Sequence, residues 1–264
     1  MKVDLIPYLD STPVSKFQYF ETIGSTNDAA LEWAEQGAGD YYLVVADEQT
    51  RGRGRFDRRW VSRPGSSLAF SLILKPTDEE LEHLALFSPL CGLAVQQTLQ
   101  KLLGLQAEIK WPNDVLIRRR KVCGILVEAS WTGDRSNGVI LGIGINITAG
   151  SVPPAEDTLF PATSLETACN CNVDRFAVLR EVILAIQKLR PTLGQPEFIA
   201  EWQENLAFKG ELVRIEGSHR PPVTGRLKGV DGQGHLVIHN PEEGELRFEI
   251  GDVHLRPGRI IQLQ

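Results

Sequence analysis

The sequence is first informative through what it lacks. Across 264 residues no apolar run approaches the roughly 20 residues that cross a bilayer, and the N-terminal stretch carries no signal-peptide pattern. The four cysteines form neither a zinc-binding pattern nor a disulfide framework, although only Asn170 separates Cys169 from Cys171. No internal repeat or low-complexity tract is visible. These absences predict a globular, cytoplasmic protein.

Positive charge is also in deficit, because 28 lysines and arginines face 34 acidic residues and the net charge is −6. This balance argues against a general nucleic-acid binder. The basic residues are nevertheless clustered, with six arginines and one acid in residues 51–63 and the run RRRK at 118–121. Two compact basic clusters on an acidic chain indicate a local anionic ligand rather than a long polyanion.

The apolar pattern up to about residue 208 predicts an α+β domain. A helix is expected after Ser25, which is a suitable N-cap, with Gly37 as its stop. A second helix is expected over 78–103, interrupted near Pro89. The strand patterns 121–131 and 137–147 flank TGDRSNG and predict an antiparallel hairpin. Further strands are predicted at 17–23, 41–47, 67–74, 107–111 and 113–117, and further helices at 174–190 and 197–206.

The texture of the chain changes after Lys209. Five short apolar stretches follow, separated by turns that carry Gly and Pro, a pattern typical of a small β-barrel. We therefore expect two domains, 1–208 and 209–264. The predicted strands of the second are 210–217, 223–230, 234–240, 244–250 and 252–257.

The segment QTRGRGRFDRRW, residues 49–60, is the strongest candidate for chemistry. Its glycines allow close approach of the backbone to a ligand, and its arginines supply forked donors for phosphate or carboxylate. Trp60 offers a flat face for a ring. The competing interpretation is a solvated, flexible loop, but predicted strands on both sides favour a functional one.

Three shorter motifs place polar groups at predicted strands. KWPND, at 110–114, ends in an amide and a carboxylate, although a plain turn explains it equally well in isolation. Lys121 begins an apolar strand, where it either neutralises an anion in a pocket or extends into solvent. GIGIN, at 142–146, leaves one sheet face bare for a flat ligand, unless the glycines serve tight packing.

Together and in this order, these motifs resemble the biotin–protein ligase family. The family carries S-T-N, a GRGR-x-G-R-x-W loop, KWPND, K-x-x-G-I-L-x-E and G-x-G-x-N, found here at 25–27, 52–60, 110–114, 121–128 and 142–146. The resemblance covers essentially the whole chain. It implies a mixed or antiparallel sheet flanked by helices, like that of class II synthetases, and a C-terminal SH3-like β-barrel. The chain departs from the family pattern at Asp57, which stands where the loop has its later glycine.

The resemblance implies that biotin and ATP form biotinyl-5′-adenylate, with Mg²⁺ accompanying the ATP, and that a carrier-protein lysine then takes the biotin. Lys121 and Arg55 are the implied catalytic residues, and Asp114 the implied contact with magnesium through the phosphates. The implied biotin-binding residues are Ser25, Thr26, Asn27, Gln49, Gly52, Arg53, Lys121, Gly124 and Gly142. The implied ATP- and adenylate-binding residues are Arg53, Arg55, Arg58, Trp60, Lys110, Asn113, Asp114, Lys121 and Asn146.

The implied partner is the biotin carboxyl carrier protein of acetyl-CoA carboxylase. The resemblance implies no nucleic acid and no membrane as partners, and it allows a homodimer. We also expect no N-terminal helix-turn-helix repressor domain. Three alternatives stay open at this point. A lipoate–protein ligase shares the adenylation logic, but its R-R-x-x-G-G-G segment is missing here. The others are a nucleic-acid-binding regulator built on the basic runs and a catalytically inactive biotin-binding module.

Overall fold

The computed structural model describes residues 4–56, 58–154, 158, 160–217, 221–249 and 253–257; the Asp57 departure lies outside these residues. The larger sheet is mixed, as predicted, because only its first two strands are parallel and every other neighbouring pair is antiparallel. Its strands are β1 (Lys16–Ile23), β2 (Tyr42–Gln49), β3 (Ser67–Leu74), β4 (Glu108–Lys110), β5 (Asp114–Ile117), β6 (Arg120–Thr132) and β7 (Arg135–Asn146). Their order across the sheet is β1-β2-β3-β7-β6-β5-β4, and β6 and β7 form the predicted hairpin.

The helices differ from prediction mainly at their ends. The helix expected over 78–103 is divided by a 3-10 turn at Leu84–Leu86, so the break precedes Pro89, which lies in the first turn of the long helix, where proline is tolerated. Two short helices, at the start and before residue 170, were not predicted. In the described part of the chain no helix is long and apolar enough to cross a membrane. The helices are α1 (Ile6–Leu9), α2 (Thr26–Glu35), α3 (Asp78–Leu81), α4 (Phe87–Leu103), α5 (Leu165–Cys169), α6 (Arg175–Leu189) and α7 (Pro196–Glu204).

The two faces of the large sheet are covered differently, because successive strand residues point to opposite sides. On one face Phe70 and Leu72 join the main hydrophobic core, to which α4 and α6 also contribute. On the other face Ile73 and Ile140 pack against Ala30 and other small residues of α2. Since α2 is only ten residues long, it covers part of that face. The rest is a groove, and it holds the predicted site.

A second, five-stranded antiparallel sheet follows residue 209, as the change of texture predicts. Trp111 is fully buried and donates from Nε1 to the carbonyl of Gly234 at 3.2 Å, which ties the two sheets together. In the described residues the outermost strands are not paired with each other, so barrel closure stays a prediction, as does the boundary at 208/209. The strands are β8 (Leu212–Gly217), β9 (Val223–Val230), β10 (Leu236–Asn240), β11 (Gly244–Phe248) and β12 (Val253–Pro257), in the order β11-β10-β9-β8-β12.

One cysteine prediction is wrong. Cys169 and Cys171 form a disulfide, although their spacing did not indicate one. The intervening Asn170 has a φ of 54°, in the left-handed region that asparagine tolerates better than most residues. This conformation turns the chain at the end of α5 and leaves the two Cα atoms 5.3 Å apart, within the usual range for a disulfide.

Candidate active site

The floor of the groove consists of small residues in register on three strands. Gly142 of β7 lies opposite Ser71 of β3, and Gly144 lies opposite Gly124 of β6. Residues opposite one another in antiparallel strands share a face. The glycines carry no side chains over this face, but Asn27 and Trp60 occupy the space above Gly142 and Gly144, so the structure shows tight packing rather than the predicted bare face.

The start of α2 fills one end of the groove. A Cβ atom on Gly142 would lie 2.1 Å from Oδ1 of Asn27, so only glycine fits beneath this amide. The Thr26 amide donates to Oε1 of Gln49 at 2.7 Å, and the Ser71 hydroxyl donates to Asn27 Oδ1 at 2.6 Å. Ser25 occupies the N-cap position but makes no capping hydrogen bond, contrary to expectation. Its buried side chain faces the groove instead.

The described residues of the arginine–glycine segment form a flap closed by backbone hydrogen bonds between its two arms. The Trp60 amide donates to the Gly52 carbonyl at 2.9 Å, and the Gly54 amide donates to the Arg58 carbonyl at 2.7 Å. Between these bonds, Arg53 and Arg59 form a β-bridge. A Cβ on Gly52 would lie 2.5 Å from the Trp60 carbonyl oxygen, so glycine is required where the two arms of the flap meet.

Trp60, at the base of the flap, covers the middle of the groove. Cβ atoms on Gly124 and Gly144 would lie 2.9 Å and 2.4 Å from its indole ring. The ammonium group of Lys121 is 5.7 Å from the ring centroid, within cation–π range. The indole Nε1 is buried and has no hydrogen-bond partner among the described residues. The two glycines therefore make room for this indole.

The basic end of the groove is built around one buried carboxylate. Asp114 lies 2.5 Å from Nζ of Lys121 and 3.3 Å from Nζ of Lys110. Burial alone would raise the pKa of Asp114, but the two ammonium groups outweigh it and lower that pKa to about 2. Lys110, at the end of β4, and Lys121, near the start of β6, thus share one buried counter-ion at the place where a ligand anion would gain most from their charge.

The setting of Asp114 disfavours a cation, because each of its oxygens faces an ammonium group. Across the described residues there is no group of three or more His, Cys, Asp or Glu side chains suited to a metal. The predicted magnesium contact through Asp114 therefore does not fit this geometry. Magnesium is better treated as part of the ATP substrate, held by its phosphates.

The two predicted asparagines have structural partners. Asn113 donates from Nδ2 to the Ile125 carbonyl at 2.7 Å, which holds the end of the KWPND turn against β6. Asn146 is buried at the end of β7 and donates to the Thr163 carbonyl at 3.0 Å. In both cases the bond uses one of the two amide hydrogens and fixes the orientation of the amide.

The arginines of the flap divide between its two ends. Arg53 binds Glu128 with both terminal nitrogens, at 2.9 and 2.7 Å, and also lies 2.9 Å from Asp28. Partial burial opposes its charge, yet the hydrogen bonds with Glu128 raise its pKa. Glu128 is seven residues beyond Lys121, about 20 Å along an extended strand. Arg53 is thus paired away from the lysine cluster, whereas Arg55 and Arg58 lie nearer the tip of the flap.

Two cavities of about 150 Å³ and 580 Å³ meet beneath the flap. The smaller is lined by every predicted site residue except Gly52 and Asn146; the larger is lined by Asn146 and by the loop after β7. Six residues line both cavities and so mark their junction: Arg58, Arg59, Trp60, Lys110, Asp114 and Lys121.

Prediction from the sequence missed two buried serines that support the site. Ser71 joins Asn27 to Thr26, and the hydroxyl of Ser62 accepts from the Gln49 amide at 2.7 Å. Ser71 could have been noticed, because it is a polar residue inside the otherwise apolar stretch LAFSLIL. Ser62 carries no such signal, since it follows the polar flap.

The chain is similar to proteins of one family. Residues 19–146 match the biotin/lipoate A/B protein ligase family. Over 240 residues the chain is 35% identical to the bifunctional ligase/repressor BirA of Bacillus spizizenii. This alignment covers 90% of the present chain and 73% of the relative. The chain is 34% identical to a biotin–[acetyl-CoA-carboxylase] ligase of Paracoccus denitrificans, over 82% of this chain and 91% of that one.

A solved structure shows the same likeness in three dimensions. The biotin protein ligase of Aquifex aeolicus in complex with biotin and ATP is 31% identical, with a TM-score of 0.80. The match covers 92% of this chain and 100% of the other. Because so little of the chain is left uncovered, the likeness extends into both sheets.

Proposed function

The chain belongs to the biotin/lipoate A/B protein ligase family, and we propose that it forms biotinyl-5′-adenylate from biotin and ATP and transfers the biotin to one lysine of a carrier protein. The observation that carries this proposal is the position of Lys121 at the junction of the two cavities. An enzyme that joins a carboxylate to a phosphate needs a cation where its two substrates meet.

Adenylate formation brings two anions together. An oxygen of the biotin carboxylate attacks the α-phosphorus of ATP, a new O–P bond forms, and pyrophosphate leaves with its electron pair. Lys121 neutralises both reacting groups, and Lys110 adds a second buried charge. In the second step a neutral lysine amine of the carrier attacks the acyl carbon, and AMP leaves. When no substrate is bound, Asp114 holds the ammonium groups of Lys110 and Lys121 in place.

The smaller cavity is the proposed biotin site. Ser25, Thr26, Asn27 and Gln49 supply hydroxyl and amide groups for the ureido ring, whose carbonyl accepts and whose N–H groups donate hydrogen bonds. Gly52 and Gly142 make room for the Trp60 carbonyl and for Asn27, and Gly124 gives a flat ligand room once the Trp60 indole moves away. Arg53 closes the flap over this end, and we assign it to biotin rather than to the phosphates because Glu128 and Asp28 hold it there.

The larger cavity is the proposed nucleotide site. We expect Arg58, which lines both cavities, and Arg55, which lines the smaller one, to meet phosphate oxygens as the flap closes. Trp60 would stack on a ring once it leaves Gly124 and Gly144. Asn146 offers its amide oxygen to an adenine amino group, and we expect Asn113, which lines the smaller cavity, to approach the phosphates at the junction of the two cavities. A closed flap also excludes water, which would hydrolyse the mixed anhydride.

The proposed partner is the biotin carboxyl carrier protein of acetyl-CoA carboxylase, since the Paracoccus relative is named for that substrate. We also propose that the protein works in the cytoplasm. A homodimer is compatible with this function and is tested by measuring the mass in solution with and without biotin and ATP.

Activity is tested by incubating the protein with biotin, Mg·ATP and a biotin carrier domain. Intact-mass analysis should show the addition of one biotinyl group, and lipoate in place of biotin should give little product. Lys121→Ala should slow adenylate formation by about 100-fold or more, the scale of losing a preorganised charge-stabilising group. Lys101→Ala is the control, because Lys101 lies on α4 and pairs with Glu181. Unlabelled carrier with the wild-type protein would refute the proposed function.

A further inference from the structure

Glu128 links the flap to the floor of the proposed biotin site. One of its oxygens, Oε2, accepts from Asn27 Nδ2 at 2.7 Å and from Arg53 at 2.7 Å, and the other accepts from Arg53 at 2.9 Å. Its side chain is 25% exposed, so these partners replace much of its hydration. Asn27 spends its second amide hydrogen on the Leu126 carbonyl at 3.2 Å. Glu128 therefore joins Asn27, at the start of α2, to Arg53 of the flap.

The carboxylate determines which way the Asn27 amide points. An ionised carboxylate only accepts hydrogen bonds, so Asn27 must turn its nitrogen to Glu128 and its oxygen to Ser71. The Ser71 hydroxyl has a single proton, and it donates this proton to Asn27 Oδ1 at 2.6 Å. Ser71 then offers only lone pairs to Thr26 Oγ1, which lies 2.8 Å away. The Thr26 hydroxyl is therefore left to donate within this chain of groups.

The direction continues to the groups that face the cavity. Gln49 Oε1 accepts from the Thr26 amide at 2.7 Å and lies 3.1 Å from the Thr26 hydroxyl. This fixes the Gln49 oxygen inward and leaves Nε2 as the donating end. The Thr26 hydroxyl directs its proton to one of these neighbouring oxygens, so its oxygen keeps a lone pair for a ligand. The pocket thus presents a donor and an acceptor side by side, as a cyclic urea requires.

We propose that Glu128 is a positioning residue that sets the hydrogen-bond polarity of the biotin-head pocket and anchors the flap through Arg53. This inference rests on the proposed function. Glu128 touches no substrate in this scheme; it acts through Asn27 at one side and Arg53 at the other. Its loss should therefore weaken recognition of the ureido ring while leaving the nucleotide end unchanged.

The test compares Glu128→Gln with Asp28→Asn. Each removes one negative charge that contacts Arg53, but only Glu128 contacts Asn27. Glu128→Gln should raise KM for biotin about tenfold, the scale of one hydrogen bond to a charged group, with KM for ATP changed less than about twofold. Asp28→Asn should change KM for biotin less than about twofold.

Two further variants distinguish a loss of hydrogen-bond polarity in the pocket from a general loss of structure. In the Glu128→Gln background, Asn27→Asp should recover only a small part of the biotin KM. The new amide can donate to the new carboxylate and Ser71 still donates to it, but the Leu126 carbonyl loses the hydrogen that it accepts from Asn27. Ser71→Ala breaks the chain without touching the flap, so it should raise KM for biotin alone, and it stands in if Glu128→Gln fails to fold.

The outcomes are distinct. Equal effects of Glu128→Gln and Asp28→Asn would reduce Glu128 to a partner of Arg53 and overturn the polarity role. An unchanged KM for biotin in Glu128→Gln or Ser71→Ala would overturn it as well, as would equal rises in KM for biotin and ATP. A wild-type protein that does not use biotin would instead refute the proposed function.

Discussion

Replacing Asp114 by Asn should destabilise the protein and expose how the lysine cluster is held. The side chains of Asp114 and Lys110 are 12% and 7% exposed, and that of Lys121 is 28% exposed. Removing the carboxylate leaves two positive charges close together with little water around them. Breaking a buried ion pair in this way typically costs about 3–5 kcal/mol, and the partial exposure of Lys121 favours the lower end.

The pKa of Asp114 gives a second route to the magnitude. A fall from 3.8 to about 2 on folding corresponds to about 2 kcal/mol of stability at neutral pH. The two routes agree on a loss of about 2–3 kcal/mol, or roughly 8 °C in Tm for a chain of this size. Because folding lowers this pKa, the contribution is complete above the unfolded value and is lost as the pH falls through the folded one.

Urea unfolding from pH 7 down to pH 2 measures both features. The difference between wild type and Asp114→Asn should stay constant above about pH 5 and shrink below pH 4. An anion bound by the lysines, such as the adenylate, should stabilise the variant more than the wild type. Asp134→Asn, an exposed position in the β6–β7 turn, is the matched control. Equal unfolding midpoints for wild type and Asp114→Asn at pH 7 would refute the reasoning.

Two further predictions concern the groove. Gly142→Ala should raise KM for biotin by about tenfold or more while preserving the fold, because its Cβ would displace Asn27. Gly232→Ala is the control, since a Cβ there meets no atom within 4 Å. Normal kinetics of Gly142→Ala would contradict the packing argument. Biotin and ATP together should change the tryptophan fluorescence of the wild type, and Trp60→Phe should abolish most of that change, since Trp60 must leave Gly124 and Gly144. A signal that persists in Trp60→Phe would assign it to one of the other four tryptophans.

The strands of the large sheet, and most of the residues that line the smaller cavity, could be predicted from local patterns in the sequence. The stretch SLAFSLIL predicts β3 at its observed bounds, because a strand buried on both faces needs a continuous apolar run. The helix start at residue 78 was predicted, but the 3-10 turn at Leu84–Leu86 that divides this helix from the main one was not. The conformation of the flap was not accessible, because its backbone bonds join Gly52 to Trp60 across a polar segment that resembles a free loop.

The candidates for chemistry were accessible from the sequence, because the motif order and the alternation of apolar residues are local properties of the chain. How those residues are paired depends on the tertiary structure. Arg53 meets a carboxylate 75 positions away, and Asn27 meets the same carboxylate across 101 positions. Such contacts depend on strand order, register and face, and a shift of one residue in β6 would turn Glu128 to the opposite side of the sheet. The same register places Trp60 over two glycines of different strands, where composition alone suggested empty space.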